Sequence, residues 1–102
     1  MYAVESPKRQ TPQESVSYAI TTTPWGSSPT DVSMVVWDVT GGGEVDVTNT
    51  TTEDSISVAS DVITTKRIHA LTLGRDYRAD VLFTDSNNNV WEVNFKILCR
   101  AA

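Results

Sequence analysis

The segment Leu71-Thr72-Leu73-Gly74-Arg75-Asp76-Tyr77 constrains this chain more than any other. It runs directly into Arg78-Ala79-Asp80-Val81-Leu82-Phe83, where apolar and polar residues alternate. Alternation with period two puts one set of side chains on each face of a strand. Leucines before a glycine, then a tyrosine at the strand's start, predict a chain that crosses from one sheet to another. In such a corner the tyrosine hydroxyl bonds back to backbone a few residues upstream. Leu71, Gly74 and Tyr77 are therefore the expected structural corner. These residues specify architecture and leave function to other surfaces.

The rest of the chain reads as strands of the same kind. Val16, Tyr18 and Ile20 alternate inward from Ser15. Thr21 to Pro29 is a loop broken by two prolines and Gly26, with Trp25 plugging one end of the core. Asp31 to Thr40 is a strand apolar on both faces: Val32, Met34 and Val36 on one, Val35, Trp37 and Val39 on the other. Gly41-Gly42-Gly43 ends it, and Glu44 to Val47 returns. Asn49 to Asp54 is a polar turn region. Ser55 to Ala59 alternates again, and Val62-Ile63 extends that pairing or begins the next element. Lys66 to Leu73 is expected as a strand carrying Ile68, Ala70 and Leu71 or Leu73. Asp85 to Asn89 is a hairpin turn, since asparagine accepts positive φ. Val90 to Leu98 closes the fold with Trp91, Val93, Phe95, Ile97 and Cys99 inward. No window carries a sustained helical period. Seven or eight short strands at turn spacings of roughly ten residues predict an all-β, antiparallel sandwich.

A length of 102 residues allows a single domain. Residues 1–14, with Pro7 and Pro12 among polar side chains, read as an extended arm with little to bury, and 15–102 as the β-sandwich. The net charge of −5 disfavours nucleic acid, and Lys66-Arg67 and Lys8-Arg9 are too small a basic footprint to reverse that. A lone cysteine, Cys99, allows no internal disulfide. The N-terminal segment lacks the apolar stretch of a signal peptide, and no stretch approaches a membrane span, which predicts synthesis in the cytoplasm.

Asp85, Asn87 and Asn89 sit at alternate positions like the first calcium ligands of a metal loop, but Val90 and Lys96 stand where that loop needs glycine and glutamate. Asp31, Glu53, Asp54 and Asp61 could meet at a loop end, although no spacing demands it. One histidine, His69, and one cysteine cannot make a structural zinc site. A nucleophile would need a base beside it, and His69 is the only imidazole. The triple glycine lacks the lysine and helix of a phosphate loop. Asn49-Thr50-Thr51 matches a glycosylation acceptor and is read as incidental. No catalytic, cofactor or metal residues are expected. The exposed aromatics Tyr2, Trp25 and Trp37 remain. If Val32, Met34 and Val36 point inward, Val35, Trp37 and Val39 form an outward apolar strip suited to protein contact.

These features, in this order, resemble small immunoglobulin-like proteins of phage and prophage gene clusters. The resemblance lies in Pro12-Gln13-Glu14 and Tyr18, Trp25, the strand Asp31 to Trp37, and the closing series Leu71, Gly74, Tyr77, Asp85 to Asn89 and Trp91 to Ile97. It spans most of the chain, though its motifs are fold motifs shared with fibronectin type III and other sandwich modules. The stretch Thr48 to Thr52 and the triple glycine depart from it. The resemblance implies an immunoglobulin-like sandwich acting as a virion-associated structural protein of the tail or head–tail region. It would be assembled through self-association or contact with other virion proteins. The alternative is an adhesion or carbohydrate-binding accessory domain that stacks a ligand on Trp25 or Trp37.

Overall fold

The computed structural model describes residues 2–3 and 7–101, the first pair through backbone only. The chain is mostly β, with 49% of it in strands, arranged in three sheets. The strands are β1 (Tyr2–Ala3), β2 (Lys8–Gln10), β3 (Ala19–Thr21), β4 (Thr30–Asp38), β5 (Val45–Asp46), β6 (Thr52–Glu53), β7 (Ser57–Ala59), β8 (Val62–Thr64), β9 (Arg67–Ile68), β10 (Asp76–Thr84) and β11 (Val90–Cys99). The main sheet runs β1-β11-β10-β4-β5, with β2 also paired to β11. A second sheet runs β3-β8-β7, and β6 pairs with β9. The two small sheets follow one another along the same chain segments. β9 comes two residues after β8, β6 precedes β7, and Val16 ahead of β3 bridges Ile68 of β9.

The long strands take their register from alternation. Tyr77, Ala79, Val81 and Phe83 of β10 are buried, as are Val93, Phe95, Ile97 and Cys99 of β11. The β10–β11 ladder sets Ala79 opposite Phe95 and Val81 opposite Val93, and β4 adds Val36 and Met34 to the same rows. Ile20, Ile63 and Ile68 from the small sheets join these residues in a single hydrophobic cluster. The closing hairpin, with its unbroken inward series, sits inside the main sheet.

Three expectations require correction. The main sheet is mixed, because β1 and β2 both run parallel to β11. Alternation identifies a strand but carries no direction, and a segment at a sheet edge can pair either way. Lys66 to Leu73 is not one strand. After Arg67–Ile68, Ala70 turns with φ of 55°, which buries Leu71 and leaves Leu73 exposed. The polar region after β5 contains a one-turn helix, α1 (Thr48–Thr51). It is too short to show a helical period.

The N-terminal segment also packs. Gln10 is 1% exposed. Its amide nitrogen donates to the Ile68 carbonyl at 2.6 Å, and its Oε1 accepts the Tyr18 hydroxyl at 2.8 Å. The Gln10 carbonyl accepts the Arg100 amide. A buried amide with all its groups engaged is a specific lock, whereas an unpaired one would be costly.

Candidate interaction surfaces

The segment from Leu71 to Tyr77 is fastened on three sides. Leu71 and Tyr77 are both 3% exposed, and Gly74 turns at φ of 85°, a region that glycine enters without a Cβ penalty. The Tyr77 hydroxyl accepts the Thr72 amide at 2.9 Å. Gly74 donates its amide to the Cys99 carbonyl, and Cys99 donates to Arg75, which ties the turn to the end of β11. Arg75 Nε meets Asp38 Oδ2 at 2.9 Å, and Asp76 donates its amide to Thr40 Oγ1, which ties it to the end of β4. Burial raises the Asp38 pKa, but the hydrogen bonds from Arg75 and Thr40 outweigh it and hold the carboxyl below its ordinary value.

On β4, Val32, Met34 and Val36 face the core, so Val35 and Trp37 lie on the outer face of the main sheet, with Val39 just beyond the strand. All three are half-buried. The neighbouring strand breaks the apolar strip: Val35 is opposite Asp80 and Trp37 opposite Arg78. Asp80, only 6% exposed, receives two bonds from Arg78, Nε at 2.9 Å and Nη2 at 3.1 Å, and Arg78 Nη1 reaches Glu44 at 2.6 Å. This outer-face charge group went unnoticed in the sequence. Its signal was the Arg78-Ala79-Asp80 spacing, which places both charges on one face of a strand. Beside it, Val39, Gly41 to Gly43, Asp76 and Lys96 line an open groove.

Trp25 lies elsewhere, half-buried and packed against the core at its partly covered rim. Its loop is joined to the closing hairpin. Ser86 donates its amide to the Ser27 carbonyl, and Asp61 accepts the Ser28 amide. Asp85, 5% exposed, accepts the Trp91 indole N–H at 2.9 Å and the amides of Asn87 and Asn89. The Trp91 bond, with help from those amides, holds the Asp85 pKa below its ordinary value. Asn88 supplies the positive φ of the turn at 64°. Asp85 thus organises a hairpin, and its oxygens point to its own loop.

The other acidic candidates are dispersed. Glu53 bonds Ser15 and lies 3.9 Å from His69. Asp54 pairs with Arg67, and Asp61 caps the Trp25 loop. Among the described residues no three His, Cys, Asp or Glu side chains gather as a metal set. Cys99 is fully buried, and burial raises its thiol pKa. The side chain of Tyr2 lies outside the described residues.

Thr48, one of several threonines in a polar stretch, carries no local signal of a special role, yet it bonds two strands. Its Oγ1 accepts the Val36 amide at 2.9 Å and donates to Asp46 Oδ1 at 2.7 Å, while Val47 donates to the Val36 carbonyl. A side-chain hydroxyl therefore completes the β4 ladder where β5 ends. No helix of the described residues is long and apolar enough to cross a membrane. Comparison with protein-family models, with curated proteins and with solved structures finds no match to this chain.

Proposed function

We propose that this chain is an immunoglobulin-like β-sandwich serving as a non-catalytic structural or interaction module of a phage or prophage particle. The observation that carries the fold reading is strand order. The series β11-β10-β4-β5 in one sheet and β3-β8-β7 in another places the last two strands beside β4 and separates them from β3. Such sandwiches distribute their strands in this way, with a tyrosine corner ahead of the penultimate strand. The Tyr77 to Thr72 bond supplies that corner.

The non-catalytic reading is supported by what the buried carboxylates do. Asp80 holds Arg78, and Asp85 holds the closing turn and Trp91. Groups committed in this way position the fold, whereas catalysis needs an acid or base aimed at open space. Attribution to a virion rests on the sequence resemblance. Trp25 contributes to the core rim, which weakens it as a stacking platform for sugar.

The test is co-sedimentation. Particles induced from the source organism are purified on a density gradient and searched for this chain by mass spectrometry. The expected result is a fixed ratio of the chain to the tail or connector proteins, with their genes adjacent. Recovery solely in the free-protein fraction, with no such neighbours, would overturn the reading.

A further inference from the structure

We infer that β7 is a docking edge at which a second copy of this chain adds its own β7. The two strands would run antiparallel about a two-fold axis at Val58 and join two three-stranded sheets into one. This inference rests on the module reading and deepens it by naming the contact.

The backbone sets the direction. Thr65 donates its amide to the Tyr18 carbonyl, and the Asp61 carbonyl accepts the Thr22 amide. Thr65, Ile63 and Asp61 therefore aim their ladder groups at β3, and Val62 and Thr64 aim theirs at β7. Their partners there are Ala59 and Ser57, while Val58 stands opposite Ile63. Val58 consequently directs both its N–H and its C=O away from β8. Among the described residues, nothing receives them.

The side chain agrees with the backbone. Val58 shares the core-facing side with Ile63, which is 0% exposed, yet Val58 is 44% exposed. Ile56, on the same side, is half-buried against the core. The hydrophobic cluster is thus uncovered at this rim, and an added strand would complete it. At the opposite edge of the same sheet, Ile20 of β3 is already 3% exposed, so a neighbour there would bury little.

Charge selects the occupant. Copies of a chain with net charge −5 repel unless they meet at a neutral segment. Ser55-Ile56-Ser57-Val58-Ala59-Ser60 contains no charged residue. In the main sheet, β2 is guarded in the usual ways by Pro7, Lys8 and Arg9, and the two-residue β5 by Glu44 and Asp46. About the two-fold axis Val58 meets Val58, and Ser57 meets Ala59, a small and self-complementary set that forms an isologous, closed contact. The reciprocal Val58 bonds are the narrow pair of an antiparallel ladder.

The experiment is analytical sedimentation of the full chain over a concentration series at low and high NaCl, with amide hydrogen exchange on the same samples. The expected result is a monomer–dimer equilibrium strengthened by salt, which screens the like charges. Exchange at Val58 slows as dimer forms. Val58→Lys adds an edge-guarding charge, and Val58→Pro removes the outward N–H while sparing the β8 ladder. Both are expected to be monomeric with unchanged circular dichroism. If Val58→Pro unfolds, Val58→Lys decides alone. Monomer at every concentration overturns the inference. So does a dimer that persists in Val58→Lys, or one that forms in the parent without slowing exchange at Val58; either outcome leaves the module reading standing with its contact elsewhere. Absence from purified particles would count against the module reading independently.

Discussion

A β-carbon on Gly26 would stand 2.5 Å from both Cβ and Oδ2 of Asp85. Glycine at 26 is thus a condition for the carboxylate to reach Trp91, and it lets the Trp25 loop pack directly against the closing hairpin. Gly26→Ala forces Asp85 aside and is expected to cost about 1–3 kcal/mol, the range for overpacking. Urea unfolding measures it, and a shift in tryptophan emission would report the broken indole bond.

Tyr77→Phe removes the acceptor of the Thr72 amide and nothing else of size. The expected loss is about 1 kcal/mol, one net hydrogen bond. Equal midpoints for variant and parent in urea would show that this bond contributes nothing to stability.

Thr48→Val keeps the branched shape but leaves the Val36 amide without its acceptor. Val36 is fully buried, so the expected cost is about 1–3 kcal/mol. Thr48→Ser restores the hydroxyl and should recover most of it. Amide exchange at Val36 checks the site directly, being fast in Thr48→Val and slow in Thr48→Ser.

Burial, with a smaller contribution from the nearby Glu14 charge, raises the Tyr18 pKa to about 12. The folded state favours the neutral phenol, whose proton goes to Gln10. Tyr18 therefore contributes stability that is fully present below the unfolded tyrosine pKa of about 10 and is lost as pH rises towards about 12. Melting temperature should fall across that window. Tyr18→Phe should be less sensitive there, and a parent-like alkaline slope in that variant would refute the assignment.

What the sequence made legible was periodic. The inward series on β10 and β11, the two faces of β4 and the Asp85 turn all follow from alternation and turn chemistry, because each is decided by neighbours one or two residues away. The missed features are decided at long range. Gln10 is polar and sits among prolines, and nothing local announces a carbonyl at residue 68. Thr48 resembles the threonines around it until β4 lies alongside. The direction of β2 depends on which edge is vacant, and alternation contains no such information. Alternation left open which face of β4 carries Trp37, and it could not show the Arg78–Asp80 pair beside it, which makes that strip mixed rather than apolar.

The parallel pairing of β2 has a consequence for the order of events. Lys8 and Gln10 find their ladder partners at Ile97 and Cys99, across almost the whole chain. On a ribosome these residues emerge well before the β11 backbone they bond to. Until then Gln10 has no β11 beside it, although Ile68, whose carbonyl accepts its side-chain amide, emerges earlier. Strand β2 is thus made well before the strand it pairs with, and closing that long loop is a late step in building the main sheet.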